Sequence, residues 1–394
     1  MRVFDRTSGT PARGLNDETG DAVQTDVGAT VSRRLGAGIV GTGFIAGVHA
    51  AAVRAAGGAV VAVVGSGPET AAQGARAIGA SRVAAGVEEM VAAPDVDVVH
   101  ICSPNHTHAE MAATVIAAGK PVVCEKPLAT SVADAMRLTG LAADAGVLAL
   151  VPFVYRFYAP VREARERIAH GSAGPLWLLH GTYLQDWLAA PNLTNWRVDP
   201  VLGGPSRAFG DIGVHWCDLL EFTTGHRIAR VSARMASAFP QRQTADGPVS
   251  VDTEDGAVVL FETDQGAIGS VVISQATPGR KNRVWFSFDG QAGSYCFDHE
   301  LPDSLWIGGR AENRTVLRGP DTFGAAALRY SRLPAGHPQG FQDAFNAFVA
   351  DAYSAIDGDK PDGLPTFADG LRAAVLTAAV VEAAASDTWV SVPA

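Results

Sequence analysis

The most constraining feature of the chain is a glycine turn at residues 41–46. Residues 35–40 (Leu-Gly-Ala-Gly-Ile-Val) form a short run suited to a buried strand. They lead into Gly41-Thr42-Gly43-Phe44-Ile45-Ala46, which satisfies G-x-G-x-x-G/A, and an Ala-rich stretch of helical length follows at 45–56. Gly41 permits the tight turn, Gly43 lets backbone approach a pyrophosphate, and Ala46 allows close helix–strand packing. The start of the helix then offers unpaired N–H groups and the positive end of its dipole to phosphates. An overlapping match begins at Gly36, but only Ser32-Arg33-Arg34 precedes it, so it lacks the strand. A glycine turn with no ligand would show the same six residues. The strand–helix pattern around it favours the dinucleotide.

That pattern continues. Residues 59–65, 96–102 and 121–124 suit buried strands, and 69–78, 87–92 and 108–118 suit helices, with a further helix at 131–145 and a strand at 148–154. Such alternation with short Gly or Pro punctuation predicts a parallel sheet covered on both faces. After about residue 155 the character changes. Residues 177–184, 228–235, 257–262, 267–275 and 284–289 are β-rich runs joined by turns, which predicts an antiparallel sheet with one face open to solvent or to another subunit. Residues 236–256 and 310–335 are expected as loops, and 341–356 and 367–386 as helices. All seven tryptophans lie from Trp177 onward, in keeping with two differently built halves. The expected organisation is an extension without order at 1–34, a nucleotide-binding domain at 35–154 and a second α/β domain at 155–394 for substrate and subunit contacts.

Composition narrows the partners. A net charge of −10 argues against nucleic acid and anionic membrane. Cys102, Cys124, Cys217 and Cys296 stand far apart with no zinc spacing, so free thiols in a reducing cytoplasm and no metal are expected. The stretch 35–53 is apolar but contains five glycines and a histidine, so it makes no convincing membrane span. Arg33-Arg34 ahead of it imitates an export signal, yet the glycine pattern fits a strand and turn better.

An acid about 20 residues beyond the glycine turn usually binds the adenosine ribose. Here the second strand ends Val63-Val64-Gly65-Ser66-Gly67-Pro68. Ser66 is a possible donor, no base occupies the loop, and Arg82 stands before the third strand. The choice between NAD and NADP therefore stays open.

Three segments offer chemistry. Glu125-Lys126-Pro127 ends a strand, and a cis Lys–Pro bond there would aim the ammonium into the crevice. Ser103-Pro104-Asn105 with His108 ends the preceding strand; Asn105 suits cofactor hydroxyls, or the histidines His106 and His108 cap the next helix. Asp211 and His215 stand four apart and share a face if both are helical, so the carboxylate would raise the basicity of the imidazole and fix its tautomer. The alternative is a capping Asp with a buried, satisfied His.

Together these motifs, in this order and at these intervals, resemble the Gfo/Idh/MocA oxidoreductases, the group of glucose–fructose oxidoreductase and inositol dehydrogenase. The likeness runs from about residue 36 to the C-terminus. It implies a Rossmann domain followed by an α/β domain with an open, mostly antiparallel sheet. It also implies that Lys126, Asp211 and His215 form the catalytic set and that Trp196-Arg197 lies near cofactor or substrate. Cofactor contacts would then fall to Gly41, Thr42, Gly43, Phe44, Ile45, Ser66, Ser103, Pro104, Asn105, His108, Glu125, Lys126, Trp196 and Arg197. The segments 185–211 and 279–282 also resemble a carbohydrate-oxidising subgroup that includes levoglucosan dehydrogenase. The reaction implied is hydride transfer between a ring alcohol of a sugar, anhydrosugar, glycoside or cyclitol and NAD(P). Tyr155, Arg156, Gln185, Trp187 and His337 are expected to face this polyhydroxylated substrate, beside Lys126, Asp211 and His215. A homodimer or homotetramer is expected. The rival expectations are a glycosidase or lyase working through a transient 3-keto sugar and a dinucleotide sensor without catalysis.

Overall fold

The computed structural model describes residues 34–244 and 247–393. The lead-in expected to lack order falls outside the described residues, Arg34 excepted.

Six parallel strands form the first sheet: β1 (Gly36–Val40), β2 (Ala59–Val64), β3 (Arg82–Val83), β4 (Val98–Ile101), β5 (Val122–Cys124) and β6 (Ala149–Leu150), in the order β3-β2-β1-β4-β5-β6. Helices α1 (Phe44–Ala55), α2 (Pro68–Ile78), α3 (Val87–Ala92), α4 (His108–Ala117) and α5 (Val132–Ala145) connect them. The strands are mostly Val, Ile and Ala because both faces are buried; β1 and β4 are buried at every position. The order reverses between β1 and β4, and ligands of such sheets bind at the carboxyl ends of strands beside that reversal. The glycine turn, Ser103–Asn105 and Glu125–Pro127 all lie at those ends. The strand expected at 148–154 stops at Leu150. Pro152 cannot donate to a ladder, and the chain turns into a single 3₁₀ turn at Val154–Phe157.

Helix α6 (Ala159–Ala169) leads into the second sheet. Strand β7 (Leu176–Leu184) enters first, and α7 (Pro200–Gly203) and α8 (Val214–Thr224) follow. Next come β8 (Ile228–Ala236), β9 (Gln241–Thr244), β10 (Gly247–Ser250), β11 (Gly256–Thr263), β12 (Ile268–Ser274), β13 (Arg283–Gly290), β14 (Ser294–Asp298), β15 (Ser304–Gly308) and β16 (Asn313–Leu317). The chain ends with α9 (Ala325–Leu328), α10 (Phe341–Ile356), α11 (Phe367–Ser386) and β17 (Val390–Ser391). The nine-stranded sheet runs β16-β15-β14-β13-β7-β12-β11-β8-β17, antiparallel except where β7 lies parallel to β12. Alternation sorts its faces: Ala257, Val259, Phe261, Val271 and Ile273 point into the core, while Val258, Leu260, Ile268 and Val272 stand exposed on the other side.

Two expected loops contain structure. The 236–256 stretch folds β9 and β10 into a hairpin, and 310–335 contains β16 and α9. The hairpin reads as polar because its buried anchor is charged: Arg242 is fully buried and bonds Asp255 and the carbonyls of Leu188, Ala190 and Leu193. Helix α6, absent from the sequence reading, likewise buries Arg162 and Glu163, which masks its apolar face.

Candidate active site

The glycine turn fits a pyrophosphate. Gly41 takes φ +106, and a Cβ there would stand 2.6 Å from the Cys102 carbonyl oxygen, so only glycine suits this position. A Cβ on Gly43 would meet nothing within 4 Å, and no side chain caps the start of α1. That leaves open space in front of free amide donors, the arrangement a phosphate requires. Phe44 and Ile45 form the first turn, with Phe44 83 % exposed. Thr42 packs against Gly74 of α2. At the end of β2, Ser66 is exposed and its Oγ lies 3.3 Å from Thr70 Oγ1. Arg82 is committed elsewhere: its guanidinium grips Asp95 at 2.6 and 3.0 Å, so it is not a free base for a ribose phosphate.

At the end of β4, Ser103 Oγ bonds Thr107 Oγ1 at 2.6 Å. Asn105 follows Pro104 and donates from Nδ2 to the Gly203 carbonyl at 2.8 Å, which ties this loop to α7 and the Trp196-Arg197 segment. Its amide thus joins two parts of the chain, where the sequence suggested cofactor hydroxyls. His108 is buried, with Nδ1 2.8 Å from the Pro127 carbonyl and Nε2 2.9 Å from that of Ser103. It braces the lysine turn against the β4 loop. The Lys126–Pro127 bond is cis.

The lysine meets Asp211 on a turn that departs from an α-helix. Phe209–Gly213 is wound as a π-helical turn running into α8. Such turns concentrate at functional sites. Glu254 holds its start, accepting from Ser206 Oγ at 2.7 Å, Phe209 N at 2.9 Å and Arg207 N at 3.2 Å. Gly213 is needed because a Cβ would lie 2.5 Å from the Phe209 ring. Lys126 Nζ donates to the Asp211 carbonyl at 3.0 Å and to Asp211 Oδ1. Arg197 approaches the same oxygen at 3.8 Å and stacks over Trp196 at 4.3 Å. Gln275, fully buried, donates from Nε2 to Asp211 Oδ2 at 2.7 Å. Burial alone would raise the Asp211 carboxyl, but the charges of Lys126 and then Arg197 more than offset this and hold it well below the usual carboxylate range.

His215 sits one turn on, edge-on to Phe153 and Tyr155 at 5.6 and 5.3 Å between ring centres. Burial, then the charge of Lys126, pushes its pKa well below the ordinary histidine value against the opposing pull of Asp211. The expected Asp211–His215 hydrogen bond is not formed. The carboxylate oxygens are taken by Lys126 and Gln275, and His215 Nδ1 is buried without a partner. A turn wound i→i+5 places residues four apart off one line, which the α-helical spacing rule does not allow for.

Beyond His215 stands a polar wall. Tyr155 Oη lies 2.6 Å from Tyr183 Oη and accepts from Asn282 Nδ2 at 3.0 Å. Asn282 Oδ1 accepts from Tyr183 at 2.9 Å and Gln185 at 2.8 Å, and Gln185 Oε1 accepts from Trp187 Nε1 at 2.7 Å. Burial pushes the Tyr155 hydroxyl up to about 12, so it stays a neutral donor. Tyr155, Gln185 and Trp187 therefore join one network. Two other expected substrate residues do not join it. Arg156 turns away to Asp218 and Asp369 and lines a separate cavity of about 480 Å³ with Glu221, Phe222 and Arg372. His337 lies on an exposed loop whose main chain is held by Arg318. Gln275 escaped the sequence reading. Its one signal was a polar residue two places beyond Val271 and Ile273 on the inward face of a strand. Among the described residues no helix is long and apolar enough to cross a membrane.

The chain resembles known proteins along most of its length. The GFO/IDH/MocA pattern described as an oxidoreductase family with an NAD-binding Rossmann fold matches residues 35–153, and the GFO/IDH/MocA C-terminal domain matches residues 161–296. Levoglucosan dehydrogenase of Pseudarthrobacter phenanthrenivorans is 31% identical over 92% of this chain and 99% of its own. Inositol 2-dehydrogenase 3 of Saccharopolyspora erythraea is 29% identical over 88% of this chain and 92% of its own. Among solved structures, levoglucosan dehydrogenase in complex with NADH and levoglucosan superposes with a TM-score of 0.85 at 30% identity, covering 92% of this chain and 100% of that one. An oxidoreductase domain protein from Kribbella flavida gives 0.85 at 33% identity with the same coverage.

Proposed function

The chain belongs to the GFO/IDH/MocA family of NAD-binding oxidoreductases, and from that premise we propose that it oxidises a ring secondary alcohol of an anhydrosugar, sugar, glycoside or cyclitol, with Lys126, Asp211 and His215 acting on the alcohol. The observation that carries this reading is the meeting of Lys126 with Asp211 beside a histidine kept neutral by burial. When bound, the nicotinamide supplies the hydride acceptor. The chain's own residues do the rest. An ammonium has three N–H donors, and Asp211 takes two from Lys126, leaving one for the alcohol oxygen. That donor stabilises alkoxide character. His215 Nδ1 is sealed from solvent, which leaves Nε2 to take the hydroxyl proton. Asp211, fixed as a carboxylate by Lys126 and Gln275, favours the imidazolium that forms. Tyr155, Gln185, Trp187 and Asn282 offer donors and aromatic surface to further hydroxyls. Full-length likeness to levoglucosan and inositol dehydrogenases favours a rigid six-membered polyol.

With neither an acid nor a free base at the end of β2, the adenosine end accepts NAD and NADP without strong charge discrimination. The exposed Val258, Leu260, Ile268 and Val272 support assembly into a homodimer or homotetramer.

The test is His215→Ala on a panel of anhydrosugars, pyranosides and cyclitols with either cofactor, following NADH and products together. Turnover falls at least about 10²-fold, the usual size of a general-base effect, while NADH affinity is unchanged. Near-normal turnover removes His215 from the mechanism. In the wild type the neutral imidazole is the active form, so oxidation is lost as pH falls through the His215 pKa, and the acid limb of kcat/KM lies below the ordinary histidine value of 6.5.

A further inference from the structure

Behind the lysine turn runs a line of four buried titratable side chains that the proposed chemistry does not use. Glu125 ends β5, His49 lies on α1, His100 on β4 and Tyr353 on α10. Glu125 Oε1 is 3.0 Å from His49 Nε2, His49 Nδ1 is 2.9 Å from His100 Nδ1, and His100 Nε2 is 3.1 Å from Tyr353 Oη. Both histidines are fully buried, and Glu125 and Tyr353 nearly so. The other carboxylate oxygen of Glu125 accepts from the backbone N–H of Lys126 at 3.1 Å. Tyr353 ends the line against Gly58, beside the exposed turn at Gly57. The groups facing this line are Cys102, Cys124, His108 and Lys126 around Glu125, and Asp97 near Tyr353.

Once the charge of Glu125 is set, hydrogen-bond logic fixes every other proton in the line. An ionised Glu125 must receive from His49 Nε2–H. His49 Nδ1 is then an acceptor and takes His100 Nδ1–H, and His100 Nε2 takes the Tyr353 hydroxyl. Burial and the neighbouring His49 keep His100 neutral.

We infer that Tyr353, His100, His49 and Glu125 form a proton relay that lets the carboxylate beside Lys126 change its charge without water entering the site. The transfer balances. A proton taken up on the Tyr353 oxygen sends the hydroxyl proton to His100 Nε2. His100 passes its Nδ1 proton to His49 Nδ1, and His49 passes its Nε2 proton to Glu125 Oε1. One proton enters and one arrives, Glu125 becomes the neutral acid, and both histidines exchange tautomers with no change of charge. Release retraces the same path. A use in the redox cycle, adjusting Glu125 as the cofactor changes charge, rests on the dehydrogenase reading; the relay itself does not.

The test is ¹⁵N–¹H correlation of histidine-labelled full-length protein, without cofactor or substrate, with His49 and His100 assigned by His49→Gln and His100→Gln. The relay predicts opposite tautomers, His49 as Nε2–H and His100 as Nδ1–H. In Glu125→Gln the Lys126 N–H claims the amide oxygen, so the amide NH₂ faces His49 Nε2 and both rings invert together. Identical tautomers in the wild type, or inversion of His49 without His100, overturn the relay. The wild-type spectrum decides alone if Glu125→Gln does not fold. A protein inactive on every polyol but showing paired inversion would refute the dehydrogenase reading and keep the relay.

Discussion

One wall of the site presents backbone and the other presents side chains. On the parallel-sheet wall, Gly41 lets the turn pass close to the Cys102 carbonyl, and Gly43 leaves open space before the amides of α1. On the wall built around the larger sheet, Asp211, Gln275, His215, Tyr155 and Asn282 meet through oxygen and nitrogen atoms 2.7–3.0 Å apart or pack ring against ring. Lys126 belongs to the first wall by its strand and to the second by its bond to Asp211. A backbone site is constrained by steric exclusion, so one methyl group ruins it. A side-chain site is a set of directed bonds, and it fails one bond at a time. Binding of cofactor and turnover of alcohol should therefore respond to different substitutions.

The largest effect is expected on the backbone wall. Gly41→Val forces a branched residue into a left-handed conformation, at a cost of roughly 1–3 kcal/mol, and drives Cβ into the Cys102 carbonyl. NADH binding, followed by fluorescence, should disappear; retained binding would break the comparison at its strongest point. The side-chain wall should yield more gradually. Gln275→Leu removes one charge-assisted hydrogen bond from Asp211, worth roughly 1.5 kcal/mol, and so lowers kcat about tenfold. NADH affinity stays the same, and an equal loss in both would place Gln275 in the cofactor wall instead. The smallest effect belongs to the adenosine end. Ser66→Asp sets a carboxylate near a 2′-phosphate in solvent, which lowers NADP use roughly fivefold against NAD. Ser66 is the residue to change because a Cβ on the preceding Gly65 would stand 2.7 Å from the Ala71 backbone. An unchanged cofactor ratio would move the ribose away from this loop.

The same contrast explains what could be read from the sequence. A backbone site is written in consecutive residues, so Gly41 to Ala46 and the strands around it were legible, as were α10 and α11 to the residue. Lys126, Asp211 and His215 could be picked out by motif, but their partners could not. The spacing of Asp211 and His215 suggests a mutual hydrogen bond, and nothing local announces the π-helical turn that redirects the carboxylate to Gln275, 64 residues away. Arg156 follows Tyr155 directly, yet the 3₁₀ turn they share sends their side chains to different places. Buried charge hid α6 and the hairpin of β9 and β10, since Arg162 donates to the Asp362 carbonyl and Arg242 to the Leu188 and Ala190 carbonyls, all outside their own elements.

Lys126→Met, which keeps most of the length of the side chain and removes its charge, tests the separation of the two walls most directly. NADH affinity and polyol turnover are measured on one preparation. The structure predicts that NADH binds as in the wild type while turnover falls by at least about 10²-fold, the scale set by loss of an oxyanion-type donor. Turnover that survives, or binding and turnover that fall together, would contradict it.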